Sequence, residues 1–180
     1  MTPDPEEDAW RLLSARVDEA ISELRERDAR RETLAELVER RPVLGVRRGP
    51  VLRRVSNVWR LRELLLDESG GLFRVGSVIR VAKQPDHYSE QSALAAERRR
   101  VQLAALKSGF ALGEVVNYGA ARIQLSDSGG ADAHPGLEVV GGEVVLHWGA
   151  VPGAQAGLGA SSSTPLAAYL DDAVALLTGR

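Results

Sequence analysis

The chain has 180 residues, 44% hydrophobic and 27% charged, with a net charge of −2 and no cysteine, proportions that suit one soluble domain able to bury a core without staples. The missing cysteine excludes disulfide frameworks, Cys-ligated zinc and thiol catalysis, and no apolar run approaches the roughly 20 residues that span a bilayer. Asp4, Glu6, Glu7 and Asp8 stand where a basic leader would begin, so no signal peptide is expected and the chain reads as cytoplasmic, with no membrane partner.

In chain order, Asp4-Pro5-Glu6-Glu7 is a helix start, with Asp at the N-cap, Pro at the first helical position and Glu three residues after the cap. Trp10, Leu13, Val17, Ile21 and Leu24 follow at spacings of three and four, forming one apolar stripe. Leu34, Leu37 and Val38 resume it before Pro42, which predicts an N-terminal helical segment over 1–42 ahead of a domain at 43–180. An unbroken helix from 5 to 41 would run about 55 Å, beyond the roughly 35 to 40 Å of the remaining globule, so a break near 28–31 is expected.

Residues 59–66 and 72–81 predict two strands of a hairpin around the loop Asp67-Glu-Ser-Gly-Gly71, with Leu66 opposite Leu72. Alternation then gives a core face of Trp59, Leu61, Leu65, Phe73 and Ile79 and a wet basic face of Arg60, Arg62, Arg74 and Arg80. A helix over 89–108 is predicted, capped by Ser89 and stopped by Gly109, with apolar residues on more than one side: Leu94, Val101 and Ala105 on one, Leu103, Leu106 and Phe110 on the other. Leu137–Val140 and Glu143–Trp148 form a hairpin around Gly141-Gly142. Residues 149–163, rich in Gly, Ala and Ser, are expected to be a flexible loop before a last helix that Thr164-Pro165 caps and Gly179 closes. The sum is α+β, a mostly antiparallel sheet with N-terminal, central and C-terminal helices packed on it.

Charge is unevenly placed. Residues 1–42 carry 8 Arg against 12 Asp/Glu, a net of −4; residues 43–110 net +7 and residues 111–180 net −5. The consecutive arginines at 47–48, 53–54 and 98–100 point in different directions on strands and helices, so only the hairpin set forms a coherent patch. Nucleic acid is a secondary possibility at that face, weakened by an aromatic content of 4%. His87, His134 and His147 are dispersed and share no helical face with a third ligand, so no metal and no cofactor is predicted. The Gly-rich stretch 153–164 lacks the Gly-Lys-Ser/Thr of a phosphate-cradling loop. His87, Tyr88, Ser89 and Asn117 are the densest polar cluster and the candidates for any catalytic role.

The segments Val58-Trp-Arg-Leu-Arg-Glu-Leu-Leu-Leu66, Tyr88-Ser-Glu-Gln-Ser92, Glu97-Arg-Arg99, and Gly109-Phe110 through Val116-Asn-Tyr118 resemble a small, largely uncharacterised bacterial family whose members are often labelled glutaminase. The resemblance covers most of 43–178 and implies an amide hydrolase. Serine glutaminases use a Ser-x-x-Lys motif, whereas Arg80 and Ala104 precede Lys83 and Lys107 by three, so no catalytic residue transfers. The sequence therefore predicts a binding or interaction module that self-associates, as a homodimer, with amide hydrolysis and weak nucleic-acid binding as alternatives.

Overall fold

The computed structural model describes residues 5–41, 49–83, 92–123, 125, 137–147 and 163–180. Helix α1 (Pro5–Glu26) buries Trp10, Leu13, Val17, Ile21 and Leu24, the stripe expected from spacing. It ends at Asp28, whose φ of 48° is left-handed. The Ala29 N–H donates to the Leu24 carbonyl at 2.9 Å and the Asp28 N–H to that of Arg25 at 3.0 Å, a helix-terminating pair in which Asp takes the place usually held by Gly. The predicted break is present, but no second helix follows it. Residues 32–38 are strand β1 (Glu32–Val38). Three apolar residues at 34, 37 and 38 are too few to distinguish a helical from an extended period, and tertiary pairing decides the matter.

The described residues form an α+β fold of three helices with mostly antiparallel strands. They divide into two compact units, one of residues 1–30, 59–74 and 121–180 and the other of 31–58 and 75–120. The boundary anticipated at 42/43 falls in 42–48, outside the described residues.

The first unit takes the last residues of β2 (Val51–Leu61), then β3 (Leu64–Asp67), β4 (Leu72–Arg74) and β7 (Ala121–Ile123), side by side in that order. Leu66 pairs with Leu72 as the alternation predicted. Asp67 organises the loop, its Oδ1 accepting from the N–H groups of Ser69 at 2.9 Å and Gly71 at 2.8 Å. The long hairpin is nevertheless cut twice. A tight turn at Arg62 (φ 57°) and Glu63 separates β2 from β3, and β4 stops at Arg74. Two residues spent in a turn shift the alternation, so the core face is Trp59, Leu61, Leu64, Leu66 and Leu72. Leu65 and Phe73, expected on that face, take the other one.

A second sheet, β10 (Ser163–Pro165), β9 (Glu143–His147) and β8 (Leu137–Val140), belongs to the same unit. Its β8–β9 hairpin turns on Gly141 (φ 61°) and Gly142 (φ 83°), with Val140 opposite Glu143 as predicted. Helix α3 (Leu166–Thr178) closes the core through Leu166, Tyr169, Leu170, Ala173 and Val174, and Gly179 ends it at φ 77°. Thr164 does not cap it: Thr164 pairs with Leu146 in β10, and Pro165 is the cap residue, without a side-chain bond. The Tyr169 hydroxyl donates to the Leu61 carbonyl at 2.8 Å and accepts from the Glu63 N–H at 2.9 Å, fastening α3 to the β2–β3 turn. The expected flexible loop at 149–163 lies almost wholly outside the described residues.

The second unit orders its strands β5 (Ser77–Arg80), β6 (Val115–Tyr118), β1 and β2. β1 and β6 are parallel; the other pairs are antiparallel. Helix α2 (Ala93–Lys107) covers one face, its Val101, Ala104 and Ala105 packed with Ala35, Leu52, Ile79, Val81, Phe110 and Val116. The cap is Ser92, whose Oγ accepts from the Ala95 N–H at 3.2 Å; Ser89 lies outside the described residues. Among those residues α2 is covered on one side, not two, since Leu94 and Leu103 are exposed.

Candidate interaction site on the β5 edge

In the second unit β5 pairs with β6 on one side and, among the described residues, is the terminal strand on the other. The Val81 N–H donates to the Glu114 carbonyl and the Val81 carbonyl accepts from Gly113, so Ile79 and Val81 turn their backbone groups toward β6. Alternation turns those of Val78, Arg80 and Ala82 outward. Gln102 of α2 meets part of this row: its Nε2 donates to the Arg80 carbonyl at 2.7 Å, and its Oε1 accepts from the Ala82 N–H at 3.4 Å. One side-chain amide thus does what two residues of a neighbouring strand would do. Among the described residues the Val78 N–H and C=O and the Arg80 N–H are left on the edge.

Beside that edge runs a groove of about 490 Å³ lined by Ser77, Val78, Ile79, Arg80, Leu94, Glu97, Arg98, Gln102 and Tyr118. Val78 is 47% and Leu94 62% exposed, an apolar pair at the mouth of a strand-sized slot. The charges are unequal. Both Glu97 oxygens are held by Arg100, from Nε at 2.8 Å and Nη2 at 3.1 Å, which lowers the Glu97 pKa through that hydrogen bond. Arg100 also donates to Glu39 at 2.6 Å. Arg80 gives one hydrogen bond to the Gly113 carbonyl at 3.2 Å. Neither Arg80 nor Arg98 has a carboxylate partner among the described residues, so within them the groove presents two guanidinium groups.

Elsewhere in the unit Arg53 and Arg54 are matched by acids of the same unit. Arg53 pairs with Glu36. Arg54 lies 4.4 Å above the Phe110 ring and binds Glu114, Nη2 to Oε2 at 2.9 Å and Nη1 to Oε1 at 2.6 Å. Glu114 also accepts from the Thr33 hydroxyl at 2.7 Å and the Ala111 N–H at 2.9 Å. The Arg54 bond leads these in pulling the Glu114 carboxyl down to about 2 from an ordinary 4.5. Because the folded pKa is depressed, the stabilisation is complete above about pH 4.5 and fades as pH falls through about 2. Glu114→Gln is therefore expected to lower stability by about 2 kcal/mol at pH 7, with the gap to the parent closing below pH 4. Denaturation midpoints from pH 7 to pH 2 measure this, and a gap that stays constant would contradict it.

Of the catalytic candidates expected from the sequence, only Asn117 lies in the described residues. Asn117 is fully buried, its Nδ2 donating to Glu32 Oε2 at 2.8 Å, so its amide is committed to holding β6 beside β1. His87, Tyr88 and Ser89 lie outside the described residues, as does His134. His147 Nε2 sits 3.0 Å from Glu138 across the β8–β9 hairpin. No group of three or more potential metal ligands converges among the described residues. Within the first unit Arg60 and Arg74 do not share a face, because the turn at 62–63 interrupts the alternation and Arg74 stands opposite the core residue Leu64. Arg60 is in β2, Arg62 in the turn and Arg74 in β4, where it donates to the His147 carbonyl at 3.5 Å. Arg80 is in β5, in the other unit.

Sequence reasoning did not single out Val78, Arg98 or Gln102. Arg98 was visible as part of a scattered triplet, and geometry selects it alone as groove-facing; nothing in the sequence marks Gln102 as a backbone partner. No protein-family model, no curated protein and no solved structure matches the chain.

Proposed function

We propose that the chain is an interaction module that binds an extended polypeptide segment as an added strand on β5. The observation that carries this reading is the outward-facing backbone of Val78 and Arg80 beside a groove with exposed apolar side chains. Strand addition derives affinity from main-chain hydrogen bonds and specificity from alternate side chains in neighbouring pockets. Self-association would use the same edge if β5 of two copies paired about a two-fold axis, an isologous arrangement.

The test is a series of labelled octapeptides, TETETETE, TQTQTQTQ and TKTKTKTK, titrated against the full chain by fluorescence anisotropy. At least one member should bind. Val78→Pro should abolish binding without unfolding the chain, since it removes an outward N–H and leaves the β5–β6 bonds intact, as proline is tolerated on edge strands. Strand addition on β5 is wrong if no peptide binds, or if the proline variant binds equally well.

A further inference from the structure

We infer that the segment accepted by the β5 edge is acidic, an extended stretch of a partner protein with Asp or Glu at alternate positions. This rests on the strand-addition reading and adds the chemistry of the occupant.

Two guanidinium groups flank the open edge from different directions. Ile79 points toward α2, in the core with Val101 and Ala104, so the neighbouring Arg80 points to the opposite face by alternation. Arg98 stands on α2 itself, at the other wall of the groove. Side chains of an added strand also alternate, so whichever face its carboxylates take, they meet one of these arginines. Glu97, the acid that lines the slot among the described residues, is already engaged at both oxygens by Arg100.

A second copy fits this edge poorly. Pairing β5 with β5 would bring two sets of Arg80 and Arg98 to one axis, and like charges in juxtaposition disfavour association. Gln102 sets the length of the site. By occupying the Arg80 carbonyl and the Ala82 N–H it leaves only the backbone groups around Val78 and the Arg80 N–H for a guest, a stretch of about three or four residues by the strand repeat. So short a ladder needs side-chain charge to select its guest.

In the octapeptide series TETETETE is expected to bind at least about 10-fold more tightly than TQTQTQTQ, and TKTKTKTK more weakly still. Raising salt from about 50 to about 300 mM should erase most of the acidic preference, since exposed charges are screened over a few ångströms. Arg98→Glu should invert the order of the acidic and basic peptides, which a loss of fold would not do. Equal binding of all three peptides overturns the acidic assignment and leaves strand addition standing, whereas binding by none removes both. A dimer in light scattering that Val78→Pro converts to monomer would assign the edge to a second copy and overturn the inference.

Discussion

Trp59→Ala is expected to lower the stability of the chain by about 3 to 5 kcal/mol, the range for deleting a large buried aromatic. Trp59 is fully buried at the end of β2 and belongs to the core that contains Trp10, Leu13 and Val17 of α1 and Leu170 and Val174 of α3. Its indole N–H donates to the Ala29 carbonyl at 3.2 Å, just past the end of α1. Truncation therefore opens a cavity and removes the donor that the Ala29 carbonyl uses. Trp59→Phe keeps much of the apolar volume and should lose only about 1 to 2 kcal/mol. Urea unfolding monitored by far-UV circular dichroism gives both values; a loss below about 1 kcal/mol for the alanine variant would mean that the surrounding core closes over the space.

Gly76→Ala should cost about 2 to 3 kcal/mol, the scale of overpacking against atoms that cannot swing away. A Cβ at Gly76 would lie 2.3 Å from the Gly119 carbonyl oxygen and 2.6 Å from that of Tyr118. Both are backbone atoms, so the end of β6 or the start of β5 must move. The damage should be local: amide exchange at Ile79 and Val81, which face β6, is expected to accelerate before that of the strands around Trp59. Gly113→Ala is the comparison, because Gly113 has a φ of 85° but open space around its Cβ position, and should cost about 1 to 2 kcal/mol from the left-handed conformation alone. Unchanged exchange at Ile79 and Val81 in the Gly76 variant would contradict the close approach. Since Gly76 places β5 beside β6, the same variant should weaken peptide binding at the β5 edge.

Signals confined to a few adjacent residues were legible. The apolar stripe of α1, the Gly141-Gly142 hairpin, the Leu66–Leu72 register and the glycine stops of α2 and α3 all depend on contacts within one element or one turn. Errors arose where a local pattern was extended. Glu32–Val38 read as helix because three apolar residues fit both periods, and its pairing with β2 and β6 made it a strand. The 59–81 hairpin read as continuous because Arg62-Glu63 carries no Gly, Pro, Asn or Asp to announce a turn. That one missed turn put Leu64 and Leu66 on the face expected for Leu65 and Phe73, left Leu65 buried on the opposite face, and moved Arg74, opposite Leu64, off the face of Arg60.

By itself, the sequence determined the α+β class, the start of α1, the C-terminal stops of α2 and α3, the Gly141-Gly142 turn and the uneven charge along the chain, because propensity, capping and alternation act over short distances. Only the tertiary structure decided which charges remain uncompensated. Arg53, Arg54 and Arg100 are matched by Glu36, Glu114, Glu39 and Glu97, pairings that reach as far as 61 residues along the chain. Coulomb interactions follow distance in space, and no run of residues reveals that, among the described residues, Arg80 and Arg98 line the β5 groove without a carboxylate partner.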